Sequence, residues 1–178
     1  NKPFDQFVKE LVTASGDPAV VPAANFYRVS RDPMECAEST AQLFMGVRMQ
    51  CAKCHNHPFE RWTQDDYYGL AACFARVGRK KNPADADKEV IFAARGGEVT
   101  HLRTGKVMAP KAPGSAPFNE GVDRRVPLAD WLASPANPYF AKSVINRVWY
   151  HLLGKGIVDP VDDFRDSNPP RNEPLLNH

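Results

Sequence analysis

The sequence predicts a mainly α-helical fold with a small antiparallel β-meander, an α+β arrangement. Apolar residues recur with helical spacing at the start of the chain, as in Phe4, Phe7 and Leu11, and again after residue 137. From Glu89 the spacing changes, and short apolar runs alternate with Gly-Gly and Thr-Gly pairs that are typical of tight turns. The 16 prolines among 178 residues lie mainly between these segments, so we expect ordered loops to connect them.

Two helices are predicted in the first 50 residues, because each combines a start signal with an apolar stripe. The first lies within residues 3–16. The second begins at Asp32, where Pro33 suits the first helical position and Glu35 can complete a capping box. Its apolar side continues, so we expect this helix to run to about Gln50.

A third helix and the meander follow. The helix begins at Thr63, with Asp66 at the third helical position, and Gly78 is suited to its end. Residues 79–88 are predicted to form a basic loop, and residues 90–108 are predicted to form the strands of the meander.

The C-terminal part is predicted to be helical again after a linker. We place the domains at residues 1–110 and 127–178, and the Pro-, Gly- and Ser-containing linker at 111–126. A short helix is expected over 127–133 and a longer one from Asn137 to Gly154. The stripe predicted to be buried on the longer helix consists of Phe140, Val144, Ile145, Val148 and Leu152. The acidic loop that follows is expected to form salt bridges, with Arg147 as one partner.

Composition excludes several classes of function. The net charge of +2 and the absence of a long Lys/Arg run argue against nucleic acid as a partner. No stretch reaches the roughly 18 apolar residues that span a bilayer. The sequence has no nucleophile elbow, phosphate loop or zinc-protease helix, which disfavours a hydrolase. The abrupt ends of the sequence lead us to expect a fragment of a larger protein.

The central motif is Cys51-Ala52-Lys53-Cys54-His55. Two cysteines three positions apart, followed at once by histidine, is the arrangement that attaches c-type haem. Each cysteine can bond to one vinyl group of the porphyrin, and the histidine can ligate the iron. We therefore predict Cys51 and Cys54 as attachment points and His55 as the proximal ligand.

The same residues also fit other chemistry. Cys51 and Cys54, with His55 or His57, could bind zinc, and the two thiols alone could form a redox dithiol or a disulfide. An apolar cavity beside the loop, large enough for a porphyrin, would favour haem. A packed loop with His57 turned onto the two thiols would favour a metal or structural site.

The sixth iron ligand has two candidates in the sequence, and the alternatives are an open position on the iron or a ligand from another part of the parent chain. Met108 would raise the reduction potential, and His101 would give bis-histidine ligation and a lower potential. His57 is too close to His55 in sequence to reach the opposite face of the iron. The other two cysteines, Cys36 and Cys73, lie on predicted helices and are expected to be small buried apolar residues.

Several longer stretches resemble a known pair of domains. Residues 44–47, 51–59 and 62–68 resemble the C-terminal part of a planctomycete cytochrome-like domain of unknown function. Residues 129–132, 137–140, 146–149 and 159–165 resemble the start of its usual partner, a second planctomycete domain of unknown function. The resemblance implies a helical cytochrome-like part followed by the beginning of a second helical part.

The motif and the resemblance together predict a c-type haem-binding electron-transfer module in a larger extracytoplasmic protein. The expected cofactor is covalent haem c, with zinc as the alternative. The expected partners are a redox protein or an upstream cytochrome domain, together with the rest of the parent chain. A non-catalytic role is favoured over an enzyme. The competing interpretation is a structural or carbohydrate-associated module in which the cysteine loop binds zinc or forms a disulfide.

Overall fold

The computed structural model describes residues 1–56, 61–82, 85–119 and 121–177. Its α-helices and its two-stranded antiparallel sheet confirm the predicted α+β class. The α-helices are α1 (Phe4–Val12), α2 (Phe26–Val29), α3 (Pro33–Thr40), α4 (Gln64–Ala72), α5 (Arg125–Leu132), α6 (Phe140–Leu153) and α7 (Glu173–Asn177). The strands are β1 (Val77–Asn82) and β2 (Asp85–Ala93).

The two predicted capping boxes are present and fix where α3 and α4 begin. The Asp32 carboxylate accepts from the backbone N–H of Met34 and Glu35, and the Glu35 side chain accepts from the backbone of Asp32. Thr63 and Asp66 make the same reciprocal pair at α4. Both boxes satisfy N–H groups that a helix start would otherwise leave unpaired.

Helix α3 ends earlier than predicted. The chain passes through a π-helical turn over Ala41–Met45 and leaves it at Gly46, instead of continuing to about Gln50. Gly46 has a φ of 66°, in the left-handed region, and the Phe164 ring lies 2.6 Å from the position that a Cβ atom would occupy. Glycine is therefore required here both by backbone conformation and by space.

The hairpin lies partly where a loop was predicted. Residues 79–82 belong to β1 and residues 85–88 belong to β2, and the two strands pair from Val77–Ala93 to Lys80–Val90 and beyond. The many charged residues in this stretch of the sequence hide the two-residue apolar period that identifies a strand. The later part of the predicted meander is reduced to a single bridge between Thr100 and Val107.

One core holds the first part of the chain together. Its fully buried members include Val8 and Val12 of α1, Met45, and Leu70 of α4. The hairpin joins this core through Gly16 and Ile91, which exchange two backbone hydrogen bonds of 2.7 and 3.0 Å. This packing fixes α4 in the core, and α4 in turn lies against the cysteine loop.

The predicted linker is attached to α4 and to α1. Lys111 Nζ and the backbone N–H of Gly114 both donate to the Asp66 carboxylate, at 2.9 and 3.0 Å. The buried Arg125 guanidinium donates to Ala14 O at 2.8 Å and pairs with Asp123. These contacts cross the predicted limit at 110, and the domain limits at 110 and 127 stay a prediction.

Helix α6 corrects the predicted stripe. Ser143 and Asn146 are its buried residues, whereas Ile145, Val148 and Leu152 are exposed. Asn146 is buried because its side chain bonds to the backbone of Val158 in both directions. In the part of the chain that the structure describes, no helix has the length and apolarity needed to cross a membrane.

Candidate functional site

The cysteine loop is a single 3₁₀ turn that turns its thiols outward. The turn spans Gln50–Lys53, and the backbone N–H groups of Cys54 and His55 both point to Cys51 O, at 3.4 Å. Ala52 is 0% exposed, while Cys51 and Cys54 are exposed. Because the small middle residue faces the core, the two thiols are left accessible on one turn.

Helix α4 anchors this turn. The Tyr68 hydroxyl donates to Lys53 O at 2.9 Å, and Gln64 Nε2 donates to the same carbonyl at 3.3 Å. The Gln64 backbone N–H donates to Asn56 Oδ1 at 3.0 Å. The loop is thus held at Lys53 and Asn56 by a helix that is itself almost wholly buried.

The His55 ring has one nitrogen engaged. Nδ1 lies 2.7 Å from Asn56 O, and a carbonyl can only accept, so this hydrogen bond places the proton on Nδ1. Nε2 is then the nitrogen that carries the lone pair, which is the form of imidazole that ligates a metal ion.

The other two cysteines confirm the prediction that they are buried. Burial raises the pKa of Cys36 to about 12, and it also raises the pKa of Cys73. All four cysteines are unpaired, which leaves Cys51 and Cys54 as the two accessible thiols. A reactive cysteine must form a thiolate and be accessible to its reagent. Cysteine chemistry is therefore expected at Cys51 and Cys54 of the loop.

His101 contacts the loop through Tyr68. It is 4% exposed, and its ring centroid lies 5.1 Å from that of Tyr68. His101 Nδ1 accepts from the backbone N–H of Arg103 at 3.1 Å, and Nε2 lies 3.5 Å from Asp65 Oδ1. Both nitrogens are therefore engaged, and ligation of iron by His101 would require the Asp65 contact to open.

Met108 and His57 are the remaining predicted ligands. Met108 is half-buried, its side chain packs against the core, and its backbone N–H donates to Val99 O at 2.9 Å. His57 lies outside the described residues. His101 and Met108 both stay predictions as sixth ligands.

A cavity lies beside Cys51. Its volume is about 210 Å³, and residues of both halves of the chain line it, including Arg48, Trp62, Phe164 and Arg165. Ligand pockets usually measure roughly 300–1,000 Å³. The cavity is thus smaller than a typical ligand pocket, and its lining is partly charged. It does not meet the criterion of an apolar pocket large enough for a porphyrin, which would have favoured haem.

The donor set nevertheless fits c-type haem. Two exposed unpaired thiols on one turn supply the attachment groups, and Nε2 of the adjacent imidazole makes no hydrogen bond to any described residue. Within residues 1–56, 61–82, 85–119 and 121–177, no group of three or more His, Cys, Asp or Glu side chains is placed to hold one metal ion. The zinc alternative, which included His57, stays a prediction.

The C-terminal part is fixed to the turn that leads into the cysteine loop. The Phe164 backbone N–H donates to Gly46 O at 2.8 Å, and Arg48 pairs with Asp162 at 2.6 Å. Burial alone would raise the pKa of Asp162, but hydrogen bonds from Arg48 and Gln42 outweigh it and hold the pKa below its usual value. We call this contact between residues 42–48 and residues 162–165 the seam.

Arg147 joins the seam differently from the prediction. Its guanidinium donates to Gln42 O at 2.6 Å, whereas the acidic loop pairs with Arg48. No sequence pattern identifies Tyr68, Phe164 or Arg165 as parts of the site. Tyr68 is one aromatic residue among several on a helix, and the other two lie more than 100 residues from the cysteines.

Comparison with known families finds two matches. Residues 1–79 match the family model PSCyt2, described as a protein of unknown function (DUF1549). Residues 124–178 match the family model PSD1, also described as a protein of unknown function (DUF1553). The order of the two matches agrees with the predicted tandem of domains. No protein with a curated description and no solved structure matches the chain.

Proposed function

We propose that the Cys51–His55 loop attaches a c-type haem, and that the chain is an electron-transfer module of a larger extracytoplasmic protein. One observation carries the proposal. Two accessible unpaired thiols lie on one anchored turn, next to an imidazole whose Nδ1 is hydrogen-bonded and whose Nε2 makes no hydrogen bond to the residues that the structure describes. The name of the family model that matches residues 1–79 agrees with a cytochrome-like part.

When bound, a c-type haem supplies a one-electron redox centre. The residues of this chain would hold and tune it. Cys51 and Cys54 would form the thioether links, and His55 Nε2 would be the proximal ligand. The hydrogen bond from Nδ1 to Asn56 O would orient the ring and increase its basicity, as partners of this kind do at metal-bound histidines. Gln64 and Tyr68 would keep the turn from shifting.

The proposed location follows from the chemistry of attachment, which is normally carried out outside the cytoplasm. The proposed partners are a redox protein or a further cytochrome domain of the parent protein. Because both thiols are exposed, a haem attached to them would have its edge near the surface, where a partner could approach.

The test is covalent haem in protein produced with a cytochrome c maturation system. We expect a visible Soret band that stays with the chain after denaturation and separation under reducing conditions. The double variant Cys51→Ala/Cys54→Ala should lose the band. Cys36→Ala removes a buried thiol elsewhere and should keep it. If a reference cytochrome is matured in the same cells while this chain carries no haem, the proposal is wrong.

A further inference from the structure

A second cavity continues from the one beside Cys51 and is formed by both family segments. Its volume is about 220 Å³. Trp62, Phe164 and Arg165 line both cavities, so the two share a wall. We call this second cavity the seam cleft and define it by Arg61, Trp62, Tyr139, Lys142, Phe164 and Arg165.

The lining of the seam cleft has an excess of positive charge. Its charged lining residues are three cations, Arg61, Lys142 and Arg165, and one acidic residue, Asp166. Arg165 is paired with Asp163 at 3.2 Å. No carboxylate of the described ranges forms an ion pair with Arg61 or Lys142, whereas Arg31, Arg48 and Arg125 each have one. Within those ranges, two cations of the cleft are therefore available to bind an external anion.

The Arg61 guanidinium is held in position by aromatic rings. It lies 5.0 Å from the Trp62 ring centroid and 5.4 Å from that of Tyr139. Trp62 is buried and packs against Tyr139 at 5.6 Å between centroids. Stacking uses the flat face of a guanidinium and leaves its in-plane N–H groups available, and those groups match a carboxylate.

We propose that the seam cleft binds the carboxylates of an organic anion, with Arg61 and Lys142 as the recognising cations. Charge-assisted hydrogen bonds from a guanidinium and an ammonium are the strongest contacts such a ligand could make here. Two kinds of ligand could supply these carboxylates to the seam cleft. One is the pair of propionates of a haem attached at Cys51 and Cys54, which rests on the function proposed above. The other is a diffusible carboxylate ligand.

The test uses benzene-1,2-dicarboxylate as the probe, titrated calorimetrically into the full chain produced without haem. We expect saturable binding that weakens as salt is added. The double variant Arg61→Gln/Lys142→Gln should weaken binding at least tenfold, since it removes two charge-assisted contacts. The matched control Arg103→Gln/Lys106→Gln changes the same residue types on an exposed loop and should alter affinity less than twofold. Lys142→Gln alone should weaken binding about threefold. This variant leaves the contact between the Arg61 guanidinium and the Trp62 ring in place.

Repeating the titration on haem-loaded protein distinguishes the two sources. Loss of probe binding on loading shows that the haem carboxylates occupy the seam cleft. Retained binding assigns the cleft to a diffusible carboxylate. If maturation yields no haem, the proposed function fails. The titration of the unloaded chain still shows whether the seam cleft binds carboxylates. Absence of saturable binding to the unloaded chain, or binding that the Arg61/Lys142 variants leave unchanged, overturns the inference.

Discussion

Helices α4 and α6 differ in how many of their residues the fold buries. Of the nine residues in α4, eight are buried, and they include Gln64, Asp66 and two tyrosines. Helix α6 has the clearer apolar stripe, yet its buried residues are Ser143 and Asn146. The comparison shows that an apolar stripe identifies the side of a helix that would gain from burial. Whether that side is covered depends on which other segments the fold brings against it.

The largest expected difference is between matched leucines of the two helices. Leu70 in α4 is 1% exposed and Leu152 in α6 is 76% exposed. Leu70→Ala should lower the free energy of unfolding by about 2–5 kcal/mol, because it leaves a cavity in the core. Leu152→Ala should change it by less than about 0.5 kcal/mol. Urea denaturation of both variants measures the difference.

An equal cost for the two leucines would show that the exposed row of α6 is covered in solution. Light scattering of the wild type at the concentration used for unfolding would then reveal whether copies of the chain associate through that row. With a monomer and unequal costs, the comparison of the two helices holds.

A second difference lies within the buried side of α6 itself. The Asn146 amide accepts from Val158 N–H at 2.9 Å and donates to Val158 O at 2.8 Å. Asn146→Ala should cost about 2–3 kcal/mol, because it leaves both backbone groups buried and unpaired. The Ser143 hydroxyl has no hydrogen-bond partner among the described residues. Ser143→Ala should therefore be neutral or slightly stabilising, and thermal unfolding of the two variants checks both expectations.

A large cost for Ser143→Ala would indicate that its hydroxyl has a partner in solution, for example bound water. A small cost for Asn146→Ala would mean that the loop at Val158 satisfies its backbone groups in another way. In that second case, hydrogen bonding to Val158 would not be the reason why Asn146 occupies the buried side of α6.

Interactions between residues close together in the sequence could be predicted, whereas those between distant residues could not. The capping boxes at Asp32 and Thr63 were predictable, since each needs residues three positions apart. The cysteine motif was equally local. Gly46 was not recognised as the end of a helix, because the apolar spacing continues past it, and the space that requires a glycine there is set by Phe164, more than 100 residues later. Arg48 and Asp162 are separated by 114 positions, and no local pattern pairs them.

Asp66, the buried one of the two acidic residues of α4, should make stability depend on pH. Burial alone would raise the pKa of Asp66, but hydrogen bonds from Gly114, Lys111 and Thr63 outweigh it and lower the pKa. The unfolded carboxyl has a pKa of about 3.9. The contribution of Asp66 is therefore full above that pH and is lost as the pH falls through the lower pKa of the folded state.

Asp66→Asn should reduce stability by about 1–2 kcal/mol at pH 7, and this deficit should shrink toward pH 2–3. Urea midpoints of both proteins at pH 7, 4 and 3 give the comparison. Asp130→Asn, at an exposed carboxylate on α5, serves as the control and should cost less than about 0.5 kcal/mol at every pH. A deficit at Asp66 that does not change with pH would show that packing of the side chain matters and its charge does not.

The smallest effect is expected for the exposed ion pair between α1 and α5. Lys9 Nζ lies 2.8 Å from Asp130 Oδ1, and the two side chains are 42% and 63% exposed. Water screens such a pair, and ordering two mobile side chains opposes it, so a double-mutant cycle should give a coupling of about 0.5 kcal/mol or less. The coupling should fall further in 1 M salt, where the screening length is about 3 Å. A coupling above about 1 kcal/mol would mean that the short distance between the side chains also reports a rigid α1–α5 contact. In that case exposure alone would not separate the weak contacts of this protein from the strong ones that hold α4.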